Sequence, residues 1–245
     1  MKSLDDLRVK LFADGADLAG ILESAQNPLI SGFTTNPTLM RKAGVDDYQA
    51  FAQAVLTEIP DRPVSLEVFS DEFSEMADQA RLLASWAPNV VVKIPVTNTR
   101  GELSLALLHT LATEGIRLNV TAIMTLDQVR VATQAVASAP IAYISVFAGR
   151  IADTGRDPVP VMAEAVEILR PYPRVQLLWA SPRELLNVFQ ADAIGCHVVT
   201  VANDILKKLP LVGKDLAAFS LETVKMFYDD AARAGYALGA RGSRR

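Results

Sequence analysis

The sequence predicts a single-domain α/β protein of the (β/α)8, or TIM-barrel, class. Three observations carry that expectation. Eight short β-rich runs recur along the chain, with longer segments between them whose apolar residues fall three and four apart on one face. Several of these runs are almost wholly apolar, as a parallel sheet covered on both faces requires. The 245 residues also match the roughly 250 that eight βα units occupy.

The first run, 8–14 (RVKLFAD), ends in Asp14-Gly15-Ala16-Asp17. A doubly wound open sheet would usually carry a GxGxxG phosphate loop there, so the closed barrel is preferred. The second run, 31–35, precedes an amphipathic stretch at 43–59. Strand three, 64–69 (VSLEVF), leads to helical spacing over 70–87, and strand four, 90–95 (VVVKIP), to the same over 99–115. Strand five, 116–121, is followed by a helix over 125–138 that Thr125 introduces. Strand six is 141–147 (IAYISVF) and strand seven 175–180 (VQLLWA). The helix expected over 181–195 opens with Ser181-Pro182-Arg183-Glu184, read as an N-cap serine, proline at the first helical position and glutamate at the third. Strand eight is 197–201. Helical crossovers between strands make parallel pairing and right-handed connections the natural choice. The segment 215–237 places Leu216, Phe219, Val224, Phe227 and Ala231 on one helical stripe. It either closes its own barrel, the expected role, or packs on another subunit. No linker divides the chain, so residues 1–236 form one domain and 237–245 (ALGARGSRR) a basic, flexible tail.

Composition excludes several function classes. Half the residues are apolar and 21% charged, with a net charge of −4. The mean hydropathy of +0.21 is spread over short segments, none approaching the 18 residues or so of a spanning helix. Weak acidity removes the electrostatic reason to expect nucleic acid or a membrane surface as partner. Cys196 is the only cysteine, which rules out an internal disulfide, and His109 and His197 give no zinc-ligand spacing. The start MKSLDDLRVK carries aspartates where an export signal would be basic and then apolar, so a cytoplasmic location is expected.

In a parallel barrel, chemistry gathers at the C-terminal ends of the strands. Lys93 interrupts the apolar run Val-Val-Val-Lys-Ile-Pro. A lysine so placed must pair, snorkel or give up its proton. It is either a Schiff-base nucleophile or the partner of a neighbouring strand's carboxylate. Nearly every other strand brings a polar group as well: Asp14, then Thr34, Thr35 and Asn36, then Glu67, Asn119, Thr121 and Ser145. Singly these have ordinary roles, Asp14 and Asn36 in turns and Thr121 in a strand. Together they supply an amine, acid/base groups and hydroxyl-holding donors, the set that Schiff-base chemistry on a sugar needs. After strands six and seven, Arg150 and Arg183 with Ser181 make a candidate phosphate site, or the arginines pair with Asp153 or Asp157.

The chain resembles the transaldolase family of class I aldolases over most of its length. The resemblance rests on Phe12-Ala13-Asp14, Gly32-Phe33-Thr34-Thr35-Asn36-Pro37-Thr38-Leu39, Ser65-Leu66-Glu67-Val68 and Val92-Lys93-Ile94-Pro95. It continues through Glu114-Gly115-Ile116, Asn119-Val120-Thr121, Ser145-Val146-Phe147-Ala148-Gly149-Arg150 and Ala180-Ser181-Pro182-Arg183. It implies transfer of a dihydroxyacetone unit from a ketose phosphate, of the sedoheptulose 7-phosphate or fructose 6-phosphate type, to an aldose phosphate, without metal or organic cofactor. By motif match Lys93 is the Schiff-base lysine and Asp14 the acid/base for carbon–carbon cleavage. Glu67 with Thr121 handles the water of carbinolamine chemistry. Thr35, Asn36, Asn119, Ser145 and Phe147 hold the sugar, and Arg150, Ser181 and Arg183 its phosphate. The implied partners are small sugar phosphates, and a homo-oligomer is compatible with the family.

Within that family the fructose-6-phosphate aldolase type tends to have Gln where this chain has Glu67 and Tyr where it has Phe147, so both positions favour transaldolase. Val146, Gly15, Pro182 and Glu184 depart from the usual pattern and border the substrate and phosphate loops, leaving room for a sugar outside the pentose phosphate pathway. The other readings are an aldolase releasing free dihydroxyacetone, a non-catalytic sugar-phosphate binding barrel with Lys93 as a paired core lysine, and an isomerase with Glu67 as base.

Overall fold

In the computed structural model, residues 3–236 and 238 are described. Eight parallel strands, β1 (Lys10–Asp14), β2 (Ile30–Thr34), β3 (Val64–Glu67), β4 (Val90–Pro95), β5 (Leu118–Ile123), β6 (Ala142–Val146), β7 (Val175–Trp179) and β8 (Val198–Ala202), close into a barrel in sequence order. β8 returns to pair with β1 from Lys10↔Val198 to Asp14↔Ala202. The helices are α1 (Leu18–Ala25), α2 (Pro37–Ala43), α3 (Tyr48–Glu58), α4 (Phe73–Trp86), α5 (Leu105–Thr113), α6 (Leu126–Ala135), α7 (Ala148–Ala152), α8 (Val159–Leu169), α9 (Leu186–Ala193), α10 (Asn203–Leu206) and α11 (Leu216–Arg233). Among the described residues no helix is long and apolar enough to cross a membrane. The (β/α)8 expectation is met, and each expected run overlaps its strand, with β2, β5 and β8 displaced by one or two residues.

Two apolar layers explain why the strands read as continuous hydrophobic runs. Outward-facing residues such as Val64, Leu66, Val92, Ile94, Val120, Ile144 and Leu177 are buried against the helices. Inward-facing Phe12, Val91, Tyr143, Leu178 and Val198 form a second cluster inside the barrel, with Phe12 and Tyr143 edge to face at 5.6 Å. Gly32 makes room for that filling: a Cβ there would lie 2.6 Å from the Phe12 ring. Apolar side chains therefore fill much of the interior below the catalytic end, and polar side chains line the cleft above them.

Several boundaries differ from expectation for local reasons. Strand five runs over Leu118–Ile123 instead of 116–121, because the chain bulges between Val120, opposite Ile144, and Ile123, opposite Val146. The stretch 43–59 holds the end of α2 and all of α3, separated at Gly44, whose φ of 72° ends α2. Only Leu105–Thr113 of 99–115 is helical. Thr125 caps α6 as expected, in a reciprocal capping box with Gln128.

Two expectations are overturned. Ser181 does not cap a helix: its φ is 57°, and α9 begins at Leu186. The amides of Arg183 and Glu184 are instead satisfied by Asn187 Oδ1, at 2.7 and 3.1 Å, from within the helix. The C-terminal helix α11 does not close the barrel, for none of its residues is buried. The short α10 and the turn 209–211 occupy that place, with Ile205 and Leu209 buried in the core. The tail expected over 237–245 lies, Leu238 apart, outside the described residues.

Candidate active site

The C-terminal ends of the strands surround a cleft of about 550 Å³. Lys93 rises from the middle of β4, 7% exposed, opposite Glu67 of β3 and Asn119 of β5 in the sheet register. Its Nζ stands 3.0 Å from Glu67 Oε2 and donates to the Thr35 carbonyl at 3.0 Å. The contact with Glu67 is an ion pair without hydrogen-bond alignment, since Oε2 is buried with no hydrogen-bond partner. The pairing reading of Lys93 is met: the buried lysine is paired with the carboxylate of the neighbouring strand, and the pair lines the cleft.

Asp14, at the end of β1, faces the same space. Its Oδ1 accepts from Thr34 Oγ1 at 2.7 Å, and Thr34 in turn meets Thr200 of β8. Burial pushes the Asp14 carboxyl above the usual carboxylate range. The nearby Lys93 charge and the Thr34 hydrogen bond pull it back, and Glu67 pushes it up. A carboxyl raised in this way holds its proton more tightly than a solvated one does, a property that suits a general acid/base.

On the opposite wall, Ser145 Oγ donates to Asn119 Oδ1 at 2.6 Å, and Asn119 Nδ2 donates to Ser65 Oγ at 3.1 Å. The chain fixes the amide orientation of Asn119, leaving its side chain at the cleft surface. Thr121 Oγ1 is buried with no hydrogen-bond partner. It precedes Ala122, whose φ is 63°, within the β5 bulge. Left-handed backbone at an alanine carries strain, and here it accompanies the turn that ends the strand at the cleft.

The far end of the cleft is formed by the chain after β6 and β7. Arg150 lies over the Phe147 ring, 5.4 Å from its centre. Arg183 is held by Asp153 through both carboxylate oxygens, with Nε donating to Oδ1 at 3.0 Å. Ser181, at φ 57°, completes the group. The two segments touch at Gly149, whose amide donates to the Ala180 carbonyl at 3.4 Å. Only glycine fits there, because a Cβ would lie 1.5 Å from the Ser181 carbonyl oxygen.

A family profile described as Transaldolase/Fructose-6-phosphate aldolase matches residues 11–240. This chain belongs to that family. It is 34% identical over 215 residues to a probable transaldolase of Dehalococcoides mccartyi, covering 86% of this chain and 96% of the relative. It is 37% identical over 217 residues to a probable transaldolase 2 of Listeria monocytogenes, covering 86% and 94%. Among solved structures, the dihydrodipicolinate synthase of Rhodopseudomonas palustris superposes with a TM-score of 0.56 at 14% identity, covering 94% of this chain and 81% of that one. That likeness reports the barrel alone.

Of the twelve site residues expected from the sequence, eleven line the cleft of this transaldolase/aldolase family member: Asp14, Asn36, Glu67, Lys93, Asn119, Thr121, Ser145, Phe147, Arg150, Ser181 and Arg183. Thr35 is the exception. It is buried, its Oγ1 donates to the Ser65 carbonyl at 3.1 Å, and its own carbonyl receives Lys93. Its place on the wall is taken by Thr34. Asn36 also caps α2, accepting from the Leu39 amide at 2.9 Å. The sequence reading passed over Thr200 and Lys42, which also line the cleft. Thr200 carried a signal, a polar residue within the apolar run of strand eight. Lys42 carried none, as an exposed lysine in a helix. Among the described residues no group of three or more His, Cys, Asp or Glu side chains is placed to hold a metal ion.

Proposed function

We propose that this protein is a transaldolase that carries a dihydroxyacetone unit from a ketose phosphate to an aldose phosphate on Lys93. The observation that carries the proposal is a buried lysine amine in a cleft, 3.0 Å from one carboxylate and within the field of a second, Asp14, whose proton affinity is raised. In this reading Glu67 receives the proton that the Lys93 amine loses as its nitrogen bonds to the C2 carbonyl carbon of the ketose. The carbinolamine then loses its hydroxyl as water, leaving an iminium. Glu67 Oε2 and Thr121 Oγ1, both buried with hydrogen-bonding capacity unused, suit the handling of that water. Asp14 takes the proton of the C4 hydroxyl, the C3–C4 bond breaks, and its electron pair is stored as the enamine. The aldose phosphate leaves, an acceptor aldehyde takes its place, and the steps reverse.

Asn36, Asn119 and Ser145 would hold the sugar hydroxyls, and Arg150, Ser181 and Arg183 the phosphate. Phe147 brings no hydroxyl to the enamine, which favours waiting for an acceptor over protonation and release. Incubation with fructose 6-phosphate alone, and then with erythrose 4-phosphate, tests the reading. Turnover that requires the acceptor is expected. Steady release of free dihydroxyacetone without it would assign the protein to the aldolase branch.

A further inference from the structure

Glu67 forms part of two cavities. One is the catalytic cleft, and the other is a pocket of about 420 Å³ between α3 and α4, also lined by Tyr48, Phe69, Leu82 and Trp86. β3 is four residues long and ends at Glu67. The strand end that carries this carboxylate is therefore backed in part by open space instead of close-packed side chains. Something else has to hold it.

The group that does so is Tyr48. It stands at the start of α3, where Asp47 caps the helix by accepting from Ala50 N at 2.9 Å. Its hydroxyl donates to the Glu67 carbonyl at 3.2 Å. The ring is fixed from two sides, edge to face with Phe69 at 4.4 Å and tilted against Trp86 at 6.2 Å. Burial pushes the phenol well above its ordinary range, so it remains a neutral donor throughout the working pH range. On the next residue, Val68 N donates to the Lys93 carbonyl at 3.1 Å. The main chain around Glu67 is thus tied to α3 through Tyr48 and to β4 through Val68, and its carboxylate meets Lys93.

We infer that Tyr48 is a positioning residue, whose hydroxyl on the Glu67 carbonyl holds that carboxylate against Lys93. The inference rests on the Schiff-base reading of Lys93. Removing the hydroxyl orphans a carbonyl and leaves the strand end free to swing toward the outer pocket. The steps in which Glu67 moves protons then slow, while substrate contacts made by other strands persist.

The test is Tyr48→Phe, which keeps the ring, compared with Phe69→Leu, which loosens the same aromatic group but keeps the hydroxyl. Steady-state kinetics with fructose 6-phosphate and erythrose 4-phosphate are combined with rapid-quench borohydride trapping of the Lys93 adduct, and melting is followed in parallel. For Tyr48→Phe, kcat and the initial trapping rate fall about ten-fold, the kinetic equivalent of one lost hydrogen bond, with KM unchanged. For Phe69→Leu, the melting temperature falls and the trapping rate per folded molecule is retained. Equal trapping rates for Tyr48→Phe and wild type would overturn the inference, as would parallel losses in both variants that follow stability alone. Failure of the wild type itself to give a Lys93 adduct would overturn the Schiff-base reading, and the inference with it.

Discussion

Gly149→Ala is the most exacting structural perturbation, because its geometry is fixed on both sides. The added Cβ would lie 1.5 Å from the Ser181 carbonyl oxygen and 2.7 Å from its carbon, where ordinary contact begins at 3.4 Å. Neither neighbour is the end of a flexible side chain, so backbone must retreat by about 1.9 Å. The retreat separates the segment bearing Phe147 and Arg150 from the one bearing Ser181 and Arg183. Overpacking of this kind costs about 1–3 kcal/mol, which for a chain of this length lowers the melting temperature by roughly 2–12 °C. Displacing the proposed phosphate-holding set by more than about 1 Å should reduce kcat/KM for a phosphorylated donor by on the order of 100-fold. On that proposal a donor lacking the phosphate makes no use of those contacts and should lose much less. Calorimetry and initial-rate kinetics with both donors measure the effect. Wild-type melting and kinetics would refute the close approach, and equal losses for the two donors would refute the phosphate assignment.

The Asp14 carboxyl is held above its ordinary range, so the folded state grips that proton harder than the unfolded chain does, and folding stability is lost as pH climbs through the raised value. Asp14→Asn removes that loss: it should melt higher than wild type near about pH 8, with the gap shrinking near about pH 4, while kcat falls by about 10²–10⁴. An unchanged kcat would remove Asp14 from the acid/base role. Phe147→Tyr places a hydroxyl at the cleft and should shift turnover toward free dihydroxyacetone when fructose 6-phosphate is supplied alone, detected by enzymatic reduction of the product. No shift would mean that retention of the three-carbon unit has another cause. The uncovered apolar side chains of α11, Leu221, Val224, Phe227 and Tyr228 among them, predict self-association through that helix. Light scattering should give a particle larger than the 26.5 kDa chain, reduced by Phe227→Glu. A monomeric wild type would contradict this.

The barrel was legible because strands buried on both faces must be apolar, and every such run in this chain is a strand. The site was legible for a related reason. A lysine, a glutamate or an asparagine inside an apolar strand has to find a polar partner, and Lys93, Glu67 and Asn119 stand side by side where their register puts them. Features that depend on contacts between distant segments were hidden. Ser181-Pro182-Arg183-Glu184 satisfies the local grammar of a helix start, yet the close approach of Ser181 to Gly149 and the capping by Asn187 decide otherwise. Thr34 and Thr35 are adjacent and chemically alike, and strand alternation alone did not say which of them faces the cleft. The C-terminal stripe looked like a barrel helix because amphipathicity reports that a face is to be covered and is silent on what covers it.

The most direct test of the central claim is borohydride reduction of the protein with a ketose phosphate, followed by peptide mass mapping. The account predicts one covalent adduct, on Lys93, lost in Lys93→Met and with no substitute site. A reduced adduct on any other lysine, or turnover that leaves Lys93 unmodified, would contradict it.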